Sequence, residues 1–256
     1  MGIHMFCSIL AGDGVLLVLN LLTGKNYYYD LAVLLTGITG LLSMIPCLWF
    51  YRKDQARREY GGLISSPPGA SINFKEAVLL LGMGAALSQI GNIVAAVLQI
   101  VFDDTEYQDM LSGITGDKSL LFLILWMGIV APVAEEMVFR WLIYLRIRDN
   151  LGIWASAVLS AALFGIYHGN LVQGIYAALL GVFIAYLLEM SGNLVSCILL
   201  HIGANVWSLL ISEYGQAIIE ILGQYYLLIY AILVIIFFNG FIYFRNKGKM
   251  RGYRAV

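Results

Sequence analysis

The chain has 256 residues, of which 61% are hydrophobic and only 12% charged, with a formal net charge of −1. Soluble domains carry about 25% charged residues, so the composition argues against a soluble globular protein, and the lack of a basic surplus argues against nucleic acid as a partner. Cys7, Cys47 and Cys197 are odd in number, lie in apolar segments and lack CxxC spacing, so they read as small hydrophobes rather than a disulfide frame or metal site.

Apolar stretches of about 17–25 residues can span a bilayer. Eight candidates follow one another, at about 5–22, 31–51, 76–102, 119–145, 152–168, 171–189, 193–212 and 225–244. The first contains Asp13 between Gly12 and Gly14, read as a structural carboxyl. No cationic stretch precedes it, so no cleavable signal peptide is expected, and His4-Met5 resembles a cloning junction that would make Met5 the native start. The third mixes Gly82, Gly84 and Gly91 with Ser88, Gln89, Asn92 and Gln99, the pattern of a helix packed closely against its neighbours.

Lys and Arg in short loops set orientation. Arg52, Lys53, Arg57 and Arg58 follow the second span, Arg146 and Arg148 the fourth, and Arg245, Lys247, Lys249, Arg251 and Arg254 the eighth. The loop after the third is acidic, with Asp103, Asp104, Glu106, Asp109 and Asp117. Eight spans with both termini in the cytoplasm place every basic cluster on one side. The expectation is an all-α, polytopic membrane bundle in the cell membrane, one transmembrane domain over 1–256 with its core at about 119–212.

The fourth span holds Glu135, Glu136 and Arg140 in an otherwise apolar run. Each buried charge costs a few kcal/mol. Glu136 and Arg140 are four apart and can pair on one helical face, while Glu135 is turned about 100° away and is left unpaired. Pro132, one turn earlier, removes the bond to the Gly128 carbonyl and favours a kink ahead of Glu135. The fifth span ends in Phe164 and His168, and the seventh carries His201 and Asn205, again four apart. Imidazole and carboxylate together activate a water or bind a metal, and His and Asn donate to an oxyanion.

The motifs EExxxR at 135–140, FxxxH at 164–168 and HxxxN at 201–205, in that order on separate hydrophobic helices, resemble the CAAX protease and bacteriocin-processing family of intramembrane proteases, which includes the type II prenyl endopeptidases. The resemblance covers about Leu120 to Leu210. It implies that Glu135 is the general base on an attacking water, that His168 holds that water, and that His201 and Asn205 stabilise the oxyanion. Glu136, Arg140 and Phe164 become structural support. The resemblance leaves two forms of the chemistry open: a catalytic zinc on Glu135, His168 and His201, or metal-free hydrolysis driven by glutamate. The implied partners are the lipid bilayer and a peptide or protein substrate, lipidated or not. Two competing readings are a non-catalytic immunity or scaffold protein on the same helices, and a proton relay. A relay distributes ionisable groups across the membrane, whereas Glu135 and His201 share one depth.

One tension remains. At about 1.5 Å per residue, Glu135 lies roughly 16 Å from Arg146 and His201 roughly 12 Å from Asn193, whereas His168 lies roughly 25 Å from Leu151. A strongly tilted fifth helix, one that begins deep, or a re-entrant link over 168–174 lining a water-filled cavity would each resolve it, and a cavity reaching into the membrane and open to the cytoplasm is the expectation.

Overall fold

The computed structural model describes residues 12, 14–61, 71–102 and 106–250. Asp13, Asp103, Asp104, Arg251, Arg254, His4 and Cys7 lie outside them. Every element among the described residues is helical: α1 Gly14–Thr23, α2 Tyr28–Tyr60, α3 Phe74–Phe102, α4 Glu106–Thr115, α5 Leu120–Leu151, α6 Ile153–Tyr167, α7 Leu171–Ser191, α8 Leu194–Leu222 and α9 Leu227–Met250. A 3-10 turn, Gly223–Tyr226, joins the last two.

Among the described residues, five stretches are long and apolar enough to cross a membrane: Asp30–Tyr60, α3, α5, α7 and the 57-residue run Leu194–Met250. The chain is a multi-pass membrane protein. One expected span, α6 with 15 residues, is shorter than a bilayer requires; most of the first, 5–22, lies outside the described residues. The helix α4, inside the acidic loop, carries no apolar run and was not expected.

Contacts along α3 show how the last run folds. Gly203 and Trp207 of α8 meet Leu81 and Gln89 of α3 in ascending order. Lys247, Gly240 and Tyr230 of α9 meet Glu76, Met83 and Gln89 in descending order. So α8 is parallel to α3, α9 is antiparallel to both, and the reversal falls at Gly223, whose φ of +52° suits glycine.

The same reasoning orients the other helices. Parallel α2 and α5 meet through Gly37 beneath the Trp126 ring, through Tyr51 stacked on Trp141 (4.0 Å, 13°) and through an Arg58–Asp149 pair at 2.8 Å. Antiparallel α5 and α8 meet through Gly128 against Val206 and Glu136 against His201. One end of the bundle therefore gathers the C-termini of α2, α5, α7 and α9 and carries the exposed cations Arg52, Lys53, Arg57, Arg146, Arg245 and Lys249.

Not every cation counted as a loop charge is solvated. Arg58 is buried on Asp149, and Arg148 is buried on Glu189 at 2.7 Å, whose same oxygen accepts from the Tyr144 hydroxyl at 2.7 Å. Buried charge requires such partners. At the start of α3, Asn73 and Glu76 exchange side-chain bonds with each other's backbone N–H, forming a capping box. Glu76 also receives Tyr243 and Lys247, which pins α9 to the start of α3.

Candidate active site

The helix α5 changes register around its glutamates. Ile124–Val130 and Met137–Tyr144 are π-helical, and only Ala131–Glu136 between them is α-helical. Such π segments recur at functional sites. The Ala131 N–H bonds the carbonyl of Trp126, five residues back. In that register the next carbonyl, that of Met127, would be served by residue 132, which is proline and has no N–H. The i−5 step therefore leaves the Met127 carbonyl without an N–H from residue 132. The Asn205 Nδ2 donates to it at 3.0 Å.

The expected Glu136–Arg140 pair is present, fully buried, with Nε 3.1 Å from Oε2 but off the line of a hydrogen bond. Arg140 also donates to the Gly181 carbonyl at 3.4 Å and lies over the Phe164 ring at 4.8 Å. Beyond this pairing, Glu136 has a second role that the sequence did not signal. Its Oε1 is 2.8 Å from His201 Nδ1. A carboxylate accepts, so Nδ1 carries the proton and Nε2 is turned outward. There it faces Glu135, whose Oε2 lies 3.7 Å away. The Glu135 side chain is 16% exposed where Glu136 is 0%, so the unpaired carboxylate is the one a water can reach.

Phe164 is the hub of the site. Its buried ring meets the His168 ring edge-on at 4.7 Å, the His201 ring at 5.8 Å and the Phe139 ring at 4.9 Å. His168 closes α6, and its Nδ1 bonds the Phe164 carbonyl at 2.8 Å. A carbonyl only accepts, so Nδ1 carries the proton and Nε2 keeps its lone pair. Glu135 and His201 thus meet directly, His168 joins them across Phe164, and Asn205 is tied to the Met127 carbonyl. The expected mutual contact of three helices is partial. The helix α5 packs on both α6 and α8, and α6 meets α8 through the Phe164 and His201 rings. Among the described residues α1 makes no extensive contact with α5, α6 or α8.

The depth tension resolves in the last turns of α5. Leu145 and Leu194 line the same cavity, and α5 continues from Leu145 to Leu151. α6 therefore starts about 9 Å nearer the basic end than α8, which brings its far end back toward the level of His201. The close approach of Gly165 to the Gly174 carbonyl folds α7 tightly back on α6 there. That cavity, about 310 Å³ and largely apolar, runs between α2, α5 and the α7–α8 turn. It reaches Met137, next to Glu136, and Ile198, one turn before His201. A smaller cavity of about 130 Å³ touches Asn205 from the other side, with Ser88, Asn92 and Ser208 on its wall.

Among the described residues no group of three His, Cys, Asp or Glu is placed to hold a metal ion. The two His201 nitrogens point to different glutamates, so Glu135 and Glu136 cannot share one ion with it. The proposed zinc set of Glu135, His168 and His201 is not assembled.

A multi-pass helical membrane protein with a buried Glu–His–Arg cluster is the class that the fold and site define. Residues 117–207 match the family model described as Type II CAAX prenyl endopeptidase Rce1-like, the protease family that the three motifs resemble. The match opens just ahead of α5 and closes two residues after Asn205, so it contains every candidate site residue. No curated protein and no solved structure matches the chain.

Proposed function

We propose that the protein is an intramembrane endopeptidase that hydrolyses a peptide bond in a membrane-associated peptide or protein. The observation that carries this reading is the division of labour within the Glu pair: buried Glu136 fixes the His201 ring, and partly exposed Glu135 faces the free Nε2. The family match over 117–207 supports it.

In this mechanism Glu135 takes a proton from a water whose oxygen attacks the scissile carbonyl carbon, and the C=O electron pair moves onto oxygen. His168 Nε2 accepts the water's other hydrogen. His201 donates to the oxyanion from Nε2 when its ring carries both protons, while the Asn205 amide is held by the Met127 carbonyl. As the tetrahedral intermediate collapses, the C–N bond breaks and Glu135 returns its proton to the leaving amine. The alternating helix directions and the single basic end support eight membrane passages with both termini in the cytoplasm of a cell-membrane protein. The 310 Å³ cavity then opens from the cytoplasmic half toward the site.

The test is cleavage by purified protein in lipid vesicles, offered prenylated and unprenylated membrane peptides. Wild type should release product and Glu135→Gln should not. Equal turnover by the two would refute the mechanism.

A further inference from the structure

We infer that Asn205 is a positioning residue, standing in for the backbone N–H that Pro132 lacks and so holding the glutamate segment of α5 in its π-shifted register. The inference rests on the protease reading for its activity arm and stands on helix geometry for the rest.

Three observations carry it. The Ala131 N–H reaches back five residues to Trp126, so the ladder at this point runs in i−5 steps. The next step needs an N–H at 132 and finds none. The Asn205 amide fills that step at 3.0 Å, from a different helix. A buried carbonyl without a partner in a membrane is costly, so the cross-helix bond substitutes for a backbone one.

Register matters here because one extra residue in a turn rotates everything beyond it by about 100°. Upstream, Trp126 is seated on Gly37, and Gly128 is pressed against Val206 and Leu209. Downstream, Arg140 is seated on Phe164. With both flanks anchored, a relaxed turn at 127–132 would swing Glu135 away from His201 Nε2. The Asn205 bond therefore acts on Glu135 through Met127, without touching the reacting atoms.

The test is a second-site rescue. Asn205→Ala should lower the thermal unfolding midpoint by about 3–6 °C and lower kcat at least about tenfold with KM little changed. Pro132→Ala supplies an N–H for Met127, so in the double variant Asn205→Ala/Pro132→Ala both quantities should return to within about threefold, and about 2 °C, of Pro132→Ala alone. A double variant as unstable as Asn205→Ala overturns the inference. Recovery of the midpoint with kcat still lost also overturns the positioning role and leaves Asn205 as an oxyanion donor only. Glu135→Gln is the control, because no backbone N–H at 132 can restore it. If wild type itself cleaves nothing, the protease reading fails, while the midpoint comparison still decides whether Asn205 serves Met127.

Discussion

Glu136 and His201, 65 residues apart in sequence, are joined by a 2.8 Å bond in the bundle interior, and this bond fixes which imidazole nitrogen faces Glu135. It makes Glu136 more than the partner of Arg140. One carboxylate spans a cation and an imidazole, and both neighbours depend on it.

The first prediction separates the adjacent glutamates. Glu136→Ala leaves Arg140 buried and unpaired and should cost about 3–5 kcal/mol. Glu135→Gln removes a partly exposed group and should cost less than about 1 kcal/mol, while turnover falls by 10²-fold or more. Thermal unfolding in detergent, run beside the vesicle assay, distinguishes them. Similar midpoints for the two variants would contradict the assigned roles.

The Phe164 ring supplies the second. Its truncation to Ala removes the surface that seats both imidazoles and the Arg140 guanidinium, and should cost about 3–5 kcal/mol. Phe164→Leu fills most of the volume, so it should retain most of the stability yet lose activity, because the two histidine rings are no longer held edge-on. A fully active Phe164→Leu would remove Phe164 from the site.

A third prediction concerns the back of α8. A Cβ on Gly203 would lie 2.2 Å from the Leu81 carbonyl oxygen, and one on Gly84 would lie 1.9 Å from that of Leu200. Both contacts are with backbone, which cannot rotate away, so α3 and α8 must separate. Gly203→Ala and Gly84→Ala should each destabilise by at least about 1–3 kcal/mol, and Gly203→Ala should also reduce turnover, since it sits between His201 and Asn205. Gly24→Ala, with open space around it but φ at +68°, should cost only its local strain and leave turnover intact.

The fourth addresses orientation. Single cysteines at the exposed positions Arg57 and Lys249 should react with a membrane-impermeant reagent from the cytoplasm, and one at Ser112 from the opposite side. Cys47 and Cys197 are buried and should stay silent. Labelling of position 249 from outside would sink the eight-passage topology.

The extent of helix and the Glu136–Arg140 pair were legible because both rest on local signals. Apolar length gives a span, and i,i+4 spacing gives Glu136–Arg140. Partnerships between helices were not. Nothing near Glu136 indicates His201, and nothing near Arg148 indicates Glu189, because these bonds join residues 65 and 41 apart. Pro132 announced a gap in the ladder of α5, but nothing near it indicated that Asn205, on another helix, would bond the Met127 carbonyl. The apparent misplacement of His168 arose from assuming that α6 and α8 start in one plane. The cavity wall that Leu145 and Leu194 share, with α5 running on to Leu151, shows that they do not.

The close approach of Gly84 to Leu200 and of Gly203 to Leu81 bears on how this protein can be taken apart. The stretch that matches a family, 117–207, ends within α8, yet the rear face of that helix is shaped to the bare backbone of α3. That helix is tied at its start through Glu76 to Tyr243 and Lys247 in the final helix. The segment that carries the candidate site is thus not a portable cassette. Transplanted into another bundle it would need the same glycine-lined wall behind it, and a chain cut at Gly223 should lose catalysis although every proposed catalytic group remains in the fragment.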